Sequence, residues 1–319
     1  TEIYTLSLHD ALPISFLAAL RCATLNPVAR NMSLAVLMGV SGAAIYEGLR
    51  FQENVRLAAR NFYGVVGVKG YGTPVEPSHA RRLLHGVIMH GEQYLHPDYR
   101  GMVTTYYQHS SGVGAALLAR RERPGAMHVG VIGLGTGTLA AYGREGDRFR
   151  FYEINPRVIS LAEREFTYLA DSDATLEMVL GDARLSLERE PPQQFDILAV
   201  DAFSSDAIPV HLITREALAL YLRHMKPDGI VAFHVSNRFL ELVPVVARLA
   251  KENQAQAVLV AESAGDDETR TQSDWVLVSR DARALKAKQI EEVGAEPAED
   301  RETLRTWTDD YSNLVQILK

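Results

Sequence analysis

The residues able to do chemistry are three glycines and four acids spaced along the middle of the chain. Gly133, Gly135 and Gly137 close the run that starts at His128. Glu153 ends Phe151-Tyr-Glu, Asp182 follows Leu180-Gly, and Asp201 and Asp206 lie at the end of the run that starts at Asp196. Each run is apolar and β-rich before it reaches its glycine or acid. An open parallel sheet presents ligand-binding groups in this way, at the carboxyl ends of its strands. A Gly-x-Gly-x-Gly loop lets backbone approach a nucleotide-like ligand. It serves dinucleotides, adenosyl-sulfonium donors and plain turns alike. Here the third glycine follows the second by two positions rather than three, which favours the adenosyl type over the dinucleotide type. Glu153, 16 residues beyond Gly137, falls where an acid grips a ribose diol. Asp182 falls where an acid meets an adenine amino group. The alternative is a doubly wound domain in which these acids are only solvated caps.

Bulk properties narrow the field. The chain has 319 residues, 47% hydrophobic and 23% charged, enough for one large and one smaller globular unit. Its net charge of −7 argues against a nucleic-acid partner, which needs a basic surface. The same charge suits a cationic substrate. Cys22 is the only cysteine, so an internal disulfide and a multi-cysteine zinc site are excluded. No metal site is expected: His85 and His90 are five apart, without helical ligand spacing, and read as ordinary strand or loop residues.

Four segments are expected. Residues 1–15 lack an initiating Met, and Ser7 to Ser15 resembles translated adapter read-through, so this stretch is expected to be non-native, the alternative being a genuine but truncated segment. Residues 16–59 hold an apolar run, Ser33 to Glu47, shorter than the roughly 20 residues of a spanning helix. It is either the end of a membrane segment or a helix buried against the domain. Residues 49–60 within it look helical. Residues 60–109 read as a small antiparallel β unit, broken at Gly86 and Gly91 and ended by Thr104-Thr-Tyr-Tyr. Residues 110–319 alternate strands and helices. Strands are expected at 128–134, 149–154, 176–181 and 195–201, and a helix from about 137. Further helices are expected at 156–168, 211–225 and 240–251, and a closing antiparallel pair near 257 and 275. Residues 281–305 read as charged and helical. This βαβ alternation predicts an α/β fold, a parallel sheet of the class I methyltransferase-like (Rossmann-like) kind with helices on both faces.

Taken together, the motifs resemble the spermidine synthase (polyamine aminopropyltransferase) family, from about Asn61 to Lys319. The residues that carry the resemblance are the Leu84 to Gln93 hairpin, Tyr106-Tyr-Gln108, Gly133 to Gly137 and Tyr152-Glu-Ile-Asn. Gly181-Asp-Ala, Asp201 to Asp206 and the C-terminal Trp307-Thr-Asp-Asp-Tyr-Ser-Asn add to it. It looks closest to the branch fused behind a transporter-like membrane segment. The resemblance implies that Glu153 binds the ribose hydroxyls and Asp182 the adenine edge. Gln93, Tyr107 and Gln108 would line the donor and amine channel. Asp201 would take the place of the catalytic acid and Asp206 that of the second acid. The family sets those two acids closer together and follows the second directly with proline; here four residues intervene and Pro209 comes three later.

An acid is wanted because polyamine nitrogens, with a pKa near ~10 by analogy with lysine, are mostly protonated at neutral pH. A carboxylate can hold the ammonium, accept its proton and align the lone pair. Ser204 and Ser205 lack a nucleophile context and read as turn residues. Tyr106 and Tyr107 are either site or core aromatics. The family's glycine loop carries an aspartate for the donor's aminopropyl ammonium, and Thr136 stands at that place. A threonine neither attracts that ammonium nor repels the carboxylate of ordinary S-adenosylmethionine. The site would then accept the ordinary donor, or use another acid such as Glu92 or Asp309. The first expectation is aminopropyl transfer from decarboxylated S-adenosylmethionine, a co-substrate and not a tightly bound cofactor, to a polyamine such as putrescine. The second is a methyltransferase using S-adenosylmethionine. The third is a polyamine-sensing module of a fused transporter. The expected setting is the cytoplasm, as a homodimer or as the soluble domain of an inner-membrane protein with an upstream membrane domain.

Overall fold

The computed structural model describes residues 27–86, 88–202, 209–262 and 273–319. The stretch 1–15 therefore lies outside the described residues. A helix, α1 (Pro27–Gln52), comes first. Its apolar side chains Val28, Met32, Val36, Met38 and Val40 are all exposed. It is not a helix buried against the domain. No described helix is long and apolar enough to cross a membrane. The helix expected over 49–60 stops at Gln52, and the chain turns at Asn54, in the left-handed region, into a strand.

Four strands follow as an antiparallel meander: β1 (Val55–Asn61), β2 (Gly64–Tyr71), β3 (Ala80–His85) and β4 (Ile88–Tyr94). The β unit thus begins at Val55 rather than at 60. Two-residue turns close the outer hairpins, one between Asn61 and Gly64 and one between His85 and Ile88. Thr104 to Tyr107, expected as strand, is instead a 3-10 turn over Thr105–Tyr107. Thr105 has φ +56, which an extended strand cannot accommodate.

The remainder is an eight-stranded mixed sheet. Helix α2 (Gly112–Arg121) leads in, capped by the Ser111 side chain on Gly114 N. The strands are β5 (His128–Ile132), β6 (Arg148–Glu153), β7 (Thr175–Leu180), β8 (Phe195–Val200), β9 (Met225–His234), β10 (Gln256–Glu262), β11 (Ser273–Ser279) and β12 (Glu296–Pro297). Their order is β12-β10-β11-β9-β8-β5-β6-β7. The five from β9 to β7 are parallel, and β11, β10 and β12 add antiparallel. Burial on both faces explains why β8 is apolar at nearly every position. One face carries α5 (Ala183–Arg189), α6 (Arg215–His224) and α7 (Val243–Glu252), packed around Phe195, Tyr221, Phe233 and Trp307. The other carries α2, α3 (Pro156–Glu165) and α8 (Lys288–Glu292), around Phe149, Phe151 and Trp275. A short helix, α4 (Tyr168–Asp171), follows α3. The helix expected from 137 is only a 3-10 turn, Thr138–Tyr142, and 281–305 holds short turns rather than one helix. The chain leaves β5 toward β6 and β7, then returns to β8 on the other side of β5. That reversal opens a crevice at the carboxyl ends of β5 and β8.

Candidate active site

The crevice is a cavity whose wall includes Gly133 and Gly135 after β5, Glu153 at the end of β6, Asp182 after β7 and Asp201 after β8. The glycines adopt left-handed backbone, with φ +95, +54 and +83 at Gly133, Gly135 and Gly137. Gly133 is the tightest point. A Cβ there would lie 2.2 Å from Asp201 O, so the turn after β5 presses directly on the turn after β8.

Glu153 is buried, and its carboxylate accepts Leu134 N at 3.1 Å and Asn155 N at 2.7 Å. Burial pushes its pKa up against the pull of those N–H groups. The loop backbone thus fixes the carboxylate, with acceptor capacity left over that a diol could use. Asn155 caps α3 through Arg157 N, with Pro156 at the first helical position, so chain direction turns sharply just beyond Glu153. Asp182 caps α5 through Oδ1, which accepts Leu185 N at 2.9 Å. Its Oδ2 accepts from His211 Nε2 at 2.8 Å. Asp182 is therefore a cap and a wall of the cavity together.

Asp201 is the most constrained acid. His234 Nδ1 donates to its Oδ1 at 2.7 Å, and the Tyr107 hydroxyl donates to its Oδ2. Burial opposes its charge, but His234, Tyr107 and His90 more than offset this and hold the carboxyl below its usual range. Burial and the neighbouring Asp201 charge raise the Tyr107 phenol well above its ordinary value, so it stays a donor. The His234 ring is stacked between Tyr106, at 4.5 Å, and Trp275, at 4.9 Å. Trp275 Nε1 donates to Tyr106 O at 3.1 Å, which ties the stack together. Tyr106 and Tyr107 are both core and cavity residues.

Other expected residues lie elsewhere. The Gln93 amide donates to Arg100 O and Thr167 Oγ1 and accepts Thr167 N, all at 2.8 Å, so it fastens β4 to the segment after α3 instead of facing the cavity. Gln108 ends the 3-10 turn, and its carbonyl accepts Ser111 N, away from the cavity wall. Thr136 is fully buried. Its hydroxyl meets Thr138 Oγ1 at 2.8 Å, and its side chain packs where a Cβ on Gly91 would sit 2.6 Å away. It does not form the cavity wall, which at this loop is Gly133, Leu134 and Gly135. The alternative acids are paired away from it: Glu92 with Arg82, and Asp309 with Arg184. Asp206, Ser204 and Ser205 lie outside the described residues.

Four histidines on the cavity wall or beside it went unread as site residues: His85, His90, His211 and His234. Burial pushes His90 down to about 4, so it is neutral near pH 7, and its Nε2 has no hydrogen-bond partner among the described residues. Only His234 left a usable signal, a polar residue closing the apolar run of β9 just as the acids close theirs.

Comparison with known proteins bears on the same parts. No protein-family model matches the chain. A polyamine aminopropyltransferase of Vibrio vulnificus is 32% identical over 114 residues, covering 34% of this chain and 36% of the relative. A protein named probable polyamine aminopropyl transferase, from Bifidobacterium longum, is 22% identical over 213 residues, covering 66% of this chain and 44% of the relative. The chain thus spans less than half the length of either relative. The solved structure of a probable spermidine synthase from Corynebacterium glutamicum superposes with a TM-score of 0.56 at 14% identity. That match covers 78% of this chain and 98% of the other. The fold is that of the spermidine synthases.

Proposed function

We propose that the protein transfers an aminopropyl group from decarboxylated S-adenosylmethionine to a polyamine acceptor such as putrescine. One observation carries this reading. The described cavity wall holds three carboxylates, Glu153, Asp182 and Asp201, and no lysine or arginine. Such a wall attracts a donor with an ammonium tail and a cationic acceptor. It offers no partner to the carboxylate of ordinary S-adenosylmethionine. The methyltransferase reading rested on Thr136, whose side chain is buried away from the wall. The names of the two curated relatives support the same choice.

In the proposed reaction, Glu153 holds the ribose diol and Asp182 the amino edge of the base. The acceptor ammonium meets Asp201, which takes one proton and leaves a free lone pair. That nitrogen attacks the propyl carbon next to sulfur. The C–N bond forms, the C–S bond breaks with its electrons on sulfur, and methylthioadenosine departs neutral. Tyr107 and His234 keep Asp201 ionised and oriented before attack. The apolar helix α1, with its exposed side chains, supports attachment of this domain to an upstream membrane segment.

The deciding experiment is product analysis with each donor and a panel of amines. Methylthioadenosine and an elongated amine are expected from the decarboxylated donor. S-adenosylhomocysteine from the ordinary donor would replace this reading with methyl transfer. Binding of amines without turnover would leave a sensor.

A further inference from the structure

Asp182 and Asp309 are far apart in sequence, yet Arg184 joins the elements that carry them. It sits two residues after Asp182, inside the first turn of α5. Its Nη1 and Nη2 donate to Asp309 Oδ1 at 2.7 Å and Oδ2 at 2.5 Å, a two-pronged pair of the kind that fixes geometry. The same Nη1 donates to His211 O at 2.8 Å. Thr214 Oγ1 closes the clasp by donating to Asp309 Oδ1 at 2.8 Å. Two backbone ties hold the C-terminal segment there as well: Arg215 N donates to Trp307 O at 2.9 Å, and Asp309 N to Glu216 Oε2 at 3.1 Å.

The clasp fixes the backbone at His211, which lines the cavity next to Asp182. The His211 Nε2 donates to Asp182 Oδ2 at 2.8 Å. Asp182 Oδ1 is already engaged as the helix cap, so Oδ2 is the oxygen available to a ligand. Without His211, rotation about the Asp182 side chain would be limited only by the cap. Beside the pair, Ile154 and Leu212 supply apolar wall for a flat base, and Ile154 is exposed.

We infer that His211, held by the Arg184–Asp309 clasp from the C-terminal segment, is a specificity-determining residue for the purine of the donor. It holds Asp182 Oδ2 toward an exocyclic amino group and covers the base. This rests on the adenosyl-donor reading. It assigns the C-terminal Thr308–Asp310 stretch a role in donor choice although Asp309 does not itself line the cavity.

The test is calorimetric binding of methylthioadenosine and of its 6-oxo counterpart, methylthioinosine, to the full chain. The unaltered protein is expected to prefer the amino compound. His211→Ala is expected to lower affinity for methylthioadenosine by about tenfold or more while affecting methylthioinosine less, so that the preference shrinks. His211→Gln, whose amide can still donate to Asp182, is expected to keep most of the preference. Asp309→Asn, with its melting temperature measured alongside, is expected to lose part of it while remaining folded. An unchanged preference in His211→Ala overturns the inference while leaving the adenosyl reading intact. Failure of the unaltered protein to bind either compound overturns both.

Discussion

The Asp201 carboxylate meets His234 on one oxygen and Tyr107 on the other, so its orientation is set before any substrate arrives. Replacing it with Asn keeps the shape and removes the charge that, in the proposed reaction, would receive the acceptor's proton. Turnover of Asp201→Asn is expected to fall by about 10²–10⁴-fold, with donor affinity changed far less. Steady-state rates together with donor titration separate the two, and near-normal turnover would reduce Asp201 to a structural acid. His90 makes a second prediction. Burial holds it down to about 4, against about 6.5 in an unfolded chain. Between these values the unfolded chain binds a proton that the folded protein refuses. The stability is therefore complete above the unfolded value and drains away as pH falls toward 4. That amounts to about 2 kcal/mol between pH 7 and pH 5. Urea unfolding at both pH values should show a smaller loss in His90→Gln than in the unaltered protein. Equal losses would mean that His90 is already protonated in the folded state.

At the scale of elements, the site depends on how closely two turns can approach. Gly133 has φ +95, and a Cβ would meet the Asp201 carbonyl, which belongs to backbone and cannot swing aside. Gly133→Ala should cost at least about 1–3 kcal/mol of stability through backbone strain. It should also weaken donor binding, because relief requires the turns after β5 and β8 to separate. Denaturant unfolding and calorimetry would check both, and normal values for both would show that the turns are compliant. Element boundaries were the less legible part. The helix expected from 137 shrank to Thr138–Tyr142, with Gly143 leaving the turn in extended backbone. Residues 49–60 looked helical throughout, yet the second half pairs with β2, because cross-strand partners outweigh local preference.

At the scale of the molecule, the N-terminal meander is one wall of the cavity, contributing Tyr63, Leu83, His85 and His90. It is fastened to the large sheet by a separate apolar cluster of Val66, Val68, Leu83, Leu161 and Phe166. Polar ties flank it: Asn61 Nδ2 donates to Asn155 Oδ1 at 2.6 Å, and Arg81 Nη1 to Glu165 O at 2.7 Å. Phe166→Ala should destabilise by about 3–5 kcal/mol through the cavity left in this cluster. Donor affinity should fall as well, although Phe166 lines no part of the site. Thermal melting and donor titration would measure the two effects; a lost melting temperature with unchanged affinity would mean that the wall stays docked.

Local pattern settled the sheet and the strand ends that line the cavity. Apolar runs ending at Gly133, Glu153, Asp182 and Asp201 could be read because strand periodicity and the residues that stop it are encoded within a few positions. At Asp182 one carboxylate oxygen caps α5 and the other meets His211, while the residue also lines the cavity. What pattern could not supply was direction. Gln93 and Thr136 have the right chemistry and the right neighbours in sequence, but their side chains turn into the protein, toward Thr167 and Gly91. His234 lies 33 residues from Asp201, Tyr107 lies 94 away, and Arg184 lies 125 from Asp309. No local signal joins such residues. They meet because the parallel order of β9, β8 and β5 brings strand ends together, and because the C-terminal segment returns across α5 and α6.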